Sequence, residues 1–221
     1  MYNITMIIHI MAGTLALASG LMAIFSAKGK SNHNKAGLVY YYSMLVIGVT
    51  GVLVSGFLNP NTFLLAISFF SLYLIHSGKM ALNYWRLKTN YKPQFFKDKL
   101  PFYLAFIVGG GMIIQPIFLM IEHQVVFVPV LAIFGLIMLT NSIRDIKKFN
   151  NPENFVPRNK KWLLQHISMM GGAYIATVTA FAVNNIHLSQ SWIVWLAPSA
   201  IGTYLITKAS KNWSEKLKIN K

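Results

Sequence analysis

The sequence predicts an all-α protein, a polytopic integral membrane bundle of seven transmembrane helices. Of its 221 residues, 55% are hydrophobic and only 11% carry a charge, whereas a soluble domain usually has about 25% charged residues. Residues 1–27, 36–78 and 162–207 contain no Asp, Glu, Lys or Arg. These observations exclude a soluble enzyme, a disordered tail and a secreted disulfide scaffold. The absence of cysteine also excludes iron–sulfur clusters and thiolate zinc sites.

Seven spans follow from the lengths of the charge-free runs. A helix needs roughly 20 mostly apolar residues to cross the hydrocarbon core of a bilayer. The two longest runs exceed one helix, and Asn59–Thr62 and Asn184-Asn185 divide them because Pro and Asn favour turns. The chain is therefore predicted to be one domain, 1–221, with spans near 4–25, 36–57, 63–84, 101–121, 125–143, 163–183 and 191–207.

The basic residues predict the orientation of the bundle. The chain has 20 Lys and Arg against five acids, a formal net charge of +15, and every basic residue lies after the first, third, fifth or seventh span or at its inner end. Because basic loops remain in the cytoplasm, we expect the N-terminus outside and the C-terminus inside. The first span has its lysines after the apolar stretch, which predicts a retained anchor and not a cleaved signal peptide.

This charge distribution also bears on partners and location. The prediction is a multi-pass protein of the bacterial cytoplasmic (inner) membrane, with anionic membrane lipid as the partner of the basic side. Nucleic acid is not expected, because the positive charge is explained by topology and not by a basic face on a soluble fold. The sequence leaves open whether the chain works alone, as a homo-oligomer or beside another membrane subunit.

Four histidines fall within or at the ends of predicted spans, where an unpaired polar group is costly. His33 and His166 lie at the inner ends of the second and sixth spans, each below a helix face of mostly small residues. His76 lies in the inner half of the third span, one turn before Lys79, and His9 lies in the outer half of the first. His123 and His187, in outer loops, are expected to be solvated.

Two interpretations of these histidines remain open. In the first they form interhelical hydrogen bonds, and Gly13, Gly48 and Gly172 let the helices pack closely. In the second they hold a cofactor near the cytoplasmic leaflet, either a single b-type haem or a divalent metal. The predicted cofactor-binding residues are His33, His166, His76 and Lys79, and the predicted metal ligands are the three histidines.

Other activities receive weaker support from the sequence. A zinc hydrolase needs a carboxylate near its metal, but Asp98, Asp145 and Glu153 are expected at or beyond the membrane edge. No catalytic residue is assigned, and whether the protein is an enzyme stays open. The alternative function is transport of a small solute, protons or lipid, or an accessory role without catalysis. Gly109-Gly110-Gly111, expected to interrupt the fourth helix, would suit such a path.

Three stretches carry a resemblance to a known family: 9–17 (HIMAGTLAL), 33–41 (HNKAGLVYY) and 162–181 (WLLQHISMMGGAYIATVTAF). Together they resemble a flavobacterial-type family of predicted bacterial membrane proteins close to domain of unknown function 2306. The resemblance covers most of the chain and implies an inner-membrane helical bundle, but it implies no reaction. His9, His33 and His166 occupy the matching positions, whereas His76 belongs to none of these stretches.

Overall fold

The computed structural model describes residues 1–121, 128–186 and 191–217. This part of the chain is all-α and contains no strand, as the sequence predicts. It contains seven α-helices: α1 (Tyr2–Phe25), α2 (Ser31–Leu53), α3 (Thr62–Trp85), α4 (Leu100–Ile121), α5 (Val128–Phe149), α6 (Lys160–Asn185) and α7 (Ser191–Lys216). A π-helical turn, Val54–Leu58, extends α2, another, Phe95–Lys99, precedes α4, and a 3-10 turn, Pro152–Phe155, follows α5.

Short polar residues start the helices that follow loops. The side chain of Asn61 accepts a hydrogen bond from the backbone N–H of Leu64 at 2.9 Å and caps α3. Asn159 caps α6 in the same way, through the N–H of Lys161 at 3.2 Å. These bonds satisfy backbone donors that have no partner within the first turn of a helix. Gly29, between α1 and α2, has a φ of 78°, a backbone conformation that favours glycine.

The helices pack mainly as three antiparallel hairpins around α3. Helices α1 and α2, α4 and α5, and α6 and α7 pair with each other, and α3 packs between α2, α6 and the α4–α5 pair. Half of the most apolar 18-residue stretch of α3 is buried, against 28% for α1. Helix α3 is thus the centre of the bundle, and α6, which contacts α1, α3 and α7, lies beside it.

Large apolar side chains cover much of the outer surface. On α1, Ile4, Ile7 and Met11 are all more than half exposed, which is unusual for a soluble protein but expected for a surface that faces lipid. Within the described residues, four helices are long enough and apolar enough to cross a membrane: Tyr2–Phe25, Ser31–Leu58, Thr62–Trp85 and Lys160–Asn185.

The basic segments of the chain meet at one end of the bundle, called here the basic end. Arg86 at the end of α3 donates to Asn34 at the start of α2 at 3.4 Å. The backbone N–H of Tyr91 donates to Phe155 O at 3.0 Å, which joins the α3–α4 and α5–α6 connections. Lys160 at the start of α6 donates to the carbonyl of Leu217, just beyond α7.

Two helices run further than the sequence predicts. The fifth span was expected to end near 143, but α5 continues to Phe149, and α7 continues to Lys216 instead of ending near 207. The expected surface loop 144–161 therefore begins as helix, and Phe155 within it is fully buried. The prediction stopped at 143 because charged residues follow. One of these, Asp145, has its hydrogen-bond partners inside the bundle, so the helix continues.

The glycines divide into tight and open positions. A Cβ built at Gly48 would lie 2.3 Å from Leu72, and one at Gly109 would lie 2.9 Å from the main-chain nitrogen of Leu139. Gly13 has nothing within 4 Å of its Cβ position, and a Cβ at Gly172 would meet nothing closer than Leu74 at 3.9 Å, so the prediction that these two glycines permit close helix contacts is wrong. Helix α4 is continuous through 109–111, so the expected interruption is also absent from this described segment.

Candidate functional site

His33 and His166, called here the histidine pair, lie at the same depth in the bundle. Helices α2 and α6 both start at the basic end, and they touch where the Thr177 hydroxyl meets the sulfur of Met44 at 3.1 Å. Each histidine lies eleven residues before its member of that contact. Because α-helices rise 1.5 Å per residue, both histidines lie about 16 Å from the Thr177–Met44 contact, measured along their helices towards the basic end. The matched depth predicted from the sequence is therefore consistent with the packing.

Backbone carbonyl groups of neighbouring helices fix both rings. His33 Nδ1 lies 2.9 Å from the carbonyl oxygen of Ala23 in α1, and His166 Nδ1 lies 2.8 Å from that of Gly78 in α3. Since a carbonyl oxygen can only accept, each neutral ring must carry its proton on Nδ1 and its lone pair on Nε2. Metal-ligating histidines are oriented by this kind of hydrogen bond from the other ring nitrogen.

The Nε2 atoms of the pair make no hydrogen bond to the described residues. Neither atom is among the buried polar atoms that lack a partner there. A positive charge on His33 would act on His166. The pair thus presents two neutral nitrogen ligands at one level of the basic end.

Two positive side chains act on this position. Lys79 and Arg86, both near the end of α3, act electrostatically on His166 together with His33. The Lys79 ammonium lies 5.3 Å from the centroid of the Tyr41 ring, which holds it beside α2. The site is therefore cationic, and it favours a ligand that carries negative charge.

His76 is held in a different environment from the histidine pair. Its ring packs against Phe102 of α4 at a centroid distance of 5.8 Å, whereas Gly78, two residues later, meets α6. The Nε2 atom of His76 is buried and has no partner among the described residues. In that part of the chain no three His, Asp or Glu side chains gather as a metal site, so a three-histidine centre is not formed.

His9 takes part in a packing contact. Its Nδ1 lies 2.8 Å from the Thr50 hydroxyl oxygen, which links α1 to α2, and Thr50 itself donates to the carbonyl of Val46 at 2.6 Å. This arrangement fits the interhelical hydrogen bond of the first interpretation. His123 and His187 lie outside the described residues.

Sequence reasoning missed a buried polar network around Asp145. This residue was expected at the membrane edge, but it is only 1% exposed. Tyr73 and Ser77 of α3 each donate to its Oδ2 at 3.0 Å, and Gln165 of α6 donates to its Oδ1 at 2.9 Å. Lys148 lies 3.6 Å from Oδ1. The carboxyl group therefore ties α3, α5 and α6 together.

A second buried acid, Asp98, anchors the connection between α3 and α4. It is also 1% exposed, and it accepts hydrogen bonds from the hydroxyls of Tyr84 and Tyr91 and from the N–H of Gln94, each at 2.7 Å. Partial burial, the hydrogen bond to Asp98 and its negative charge raise the pKa of the Tyr91 phenol to about 12. The sequence did contain one indication of these two sites: the chain has only five acidic residues, and Asp98 and Asp145 are two of them.

Consecutive residues connect the histidine pair to the Asp145 network. On α3, Ser77 donates to Asp145 and the next residue, Gly78, accepts from His166. On α6, Gln165 donates to Asp145 and is followed directly by His166. In addition, Gln165 donates to the Ser77 hydroxyl at 2.9 Å. These four residues, 77, 78, 165 and 166, form what we call the α3–α6 seam.

Comparison with known proteins adds no assignment: no protein-family model, curated protein or solved structure matches this chain. The chemistry of the site therefore rests on the side chains described above. They supply two oriented imidazoles, two cations and no third metal-binding side chain in the described residues.

Proposed function

We propose that the protein is a seven-span protein of the bacterial inner membrane, with its N-terminus outside and its C-terminus in the cytoplasm. Four helices have the length and hydropathy for this role, and α4 carries no charged residue between Leu100 and Ile121. The contacts among the basic segments support the one-sided charge distribution. Membership in the family close to domain of unknown function 2306 is part of the same proposal.

We further propose that the histidine pair binds one haem b near the cytoplasmic leaflet. The observation that carries this function is the hydrogen bond that both rings make: each Nδ1 bonds to a main-chain carbonyl at 2.8–2.9 Å and leaves Nε2 for iron. Two imidazoles could hold a haem iron, and haem would supply one-electron chemistry when bound. The protein's part is to hold and orient the two ligands.

The surrounding charges favour haem over a bare divalent metal. Lys79 and Arg86 would repel a divalent cation, and no third His, Asp or Glu joins the pair in the described residues. The same two cations would attract the carboxylate groups at the edge of a haem. Lys79 therefore keeps its predicted role as a cofactor-binding residue, while His76 does not act as a ligand in this proposal.

An absorption spectrum of the purified protein, before and after addition of haemin, tests this function. We expect a Soret band and saturable haemin binding in the wild type. His33→Ala and His166→Ala should each lose high-affinity binding, because each removes one of the two proposed ligands. His9→Ala is the matched control, since His9 bonds to Thr50 at another level of the bundle.

Equal haemin binding by the wild type and by the double variant His33→Ala/His166→Ala would refute the haem assignment. Elemental analysis of the same sample would then test for a bound metal. If neither group is present, transport or an accessory role becomes the better assignment.

A further inference from the structure

A second site lies in a crevice between α3, α5, α6 and α7, and neither member of the histidine pair lines it. The crevice has a volume of about 250 Å³. Its lining residues Ile137 of α5 and Thr203 of α7 are exposed at the surface. The crevice is therefore open along the side of the bundle, where a molecule dissolved in the membrane can enter.

Thr179, one of the residues that line the crevice, has a buried hydroxyl group without a partner among the described residues. It belongs to α6 and is 3% exposed. On the same helix Thr177 donates to the carbonyl of Ala173 at 2.9 Å, which is the usual way for a hydroxyl to be satisfied within a membrane helix. Because an unpaired buried hydroxyl is costly, Thr179 indicates a ligand that accepts its hydrogen bond.

Aromatic rings form one wall of the same space. Phe70 of α3 and Phe134 of α5 both line the crevice, and they stack with centroids 5.0 Å apart and an interplanar angle of 18°. Such a wall gives a flat ring a surface for offset or edge contact. Ser168 and Ser199 add two hydroxyls to the lining, and neither has a partner in the described part of the chain.

We propose that this crevice binds the ring of a membrane-soluble quinone. A quinone carbonyl oxygen accepts from the Thr179 hydroxyl, the flat ring lies against the Phe70–Phe134 pair, and the apolar tail leaves between α5 and α7. The space is sufficient, because a cavity of about 150 Å³ already holds benzene. The proposal concerns binding alone and does not depend on haem at the histidine pair.

Menadione, a quinone ring without a long tail, is the probe for this site. Its equilibrium binding to the detergent-purified full-length protein can be measured by dialysis, and the absence of cysteine removes thiol addition as a side reaction. Thr179→Val keeps the shape of the side chain but removes the donor, and we expect about five- to tenfold weaker binding. Thr177→Val, on the same helix but outside the crevice lining, should bind like the wild type.

Gly172→Leu provides a second test that does not depend on the stability of the Thr179 variant. Gly172 lines the crevice, and a Cβ placed there would meet nothing closer than Leu74 at 3.9 Å, so the larger side chain has room to fill the space. Menadione binding should be lost in this variant. Wild-type affinity in both Thr179→Val and Gly172→Leu would overturn the proposal. A second result would also overturn it. In that result the purified wild type retains a phospholipid, Gly172→Leu loses this lipid, and menadione does not compete with it.

Discussion

The Tyr73 hydroxyl donates to Oδ2 of Asp145 at 3.0 Å, across 72 residues of sequence. Both side chains are buried, Tyr73 at 5% and Asp145 at 1% exposure. Four side chains contact this one carboxyl group, and Lys148 also donates to Gln165. The network fixes the basic end of α5 against α3 and α6.

Replacement of Asp145 should destabilise the bundle strongly. Asp145→Ala leaves the Tyr73 and Ser77 hydroxyls and Gln165 without their acceptor, and we expect a loss of about 3 kcal/mol, since breaking a buried charged pair or leaving polar groups unpaired carries such a cost. The melting temperature of the protein in detergent measures this. Glu153→Ala is the control because Glu153 is exposed, and it should stay within about 0.5 kcal/mol of the wild type. Equal melting temperatures for the two variants would contradict the role given to the network.

The proposed topology can be mapped on a chain that has no cysteine of its own. Single cysteines at Lys30, Asn90 and Lys216 should be protected from an impermeant thiol reagent in intact cells, because all three belong to basic segments. A cysteine at Glu122, which lies outside the described residues, should be labelled. Labelling of Lys30→Cys or Lys216→Cys from outside would reverse the orientation.

Neighbouring glycines in α4 should respond differently to the same methyl group. Gly109→Ala places a Cβ 2.9 Å from the backbone of Leu139, which cannot move aside like a side-chain tip, so we expect a cost of about 1–3 kcal/mol. Gly110→Ala meets nothing within 4 Å and should leave stability unchanged or slightly higher. Thermal unfolding of the two variants side by side tests the contact between α4 and α5, and a larger loss for Gly110→Ala would argue against it.

Tyr91 should make stability depend on alkaline pH. The pKa of its phenol is raised to about 12 in the folded protein, against about 10 in an unfolded chain. The folded state therefore holds this proton more tightly, so the resulting stabilisation is complete below about pH 10 and is lost as the pH rises towards 12. We expect Tyr91→Phe to melt below the wild type at pH 9 and the difference to shrink by pH 11. A difference that stays constant with pH would show that the phenol proton is not involved.

The sequence predicts the helices well because apolar length is a local property. Charge-free runs and the turn at Asn59–Thr62 locate all seven helices, and α3 begins at Thr62 with Asn61 as its cap. The errors come from charged residues that are satisfied through tertiary contacts. The predicted span ended at residue 143 because Arg144 and Asp145 follow, yet Asp145 has partners on α3 and α6 and the helix continues to Phe149.

The candidate site was predictable only in part, for a similar reason. The depth of His33 and His166 follows from their positions at helix ends, so the sequence indicates that they belong together. Whether a ring has a partner depends on which carbonyl lies opposite, and that requires the packing of α1 on α2 and of α3 on α6. His76 could not be placed from the sequence. The direction in which it leaves α3 decides whether it meets Phe102 or the histidine pair, and the structure shows that it meets Phe102.

The α3–α6 seam has a mechanical consequence. Two bonds of the seam start from consecutive residues on each helix, so a slide or rotation of α6 along α3 cannot release His166 from Gly78 without also separating Gln165 from Ser77 and Asp145. A strain applied at either bond is therefore shared with the other. A ligand that holds the His166 ring in place therefore also holds α5 against α3. Conversely, a displacement of α5 disturbs the position of the ring.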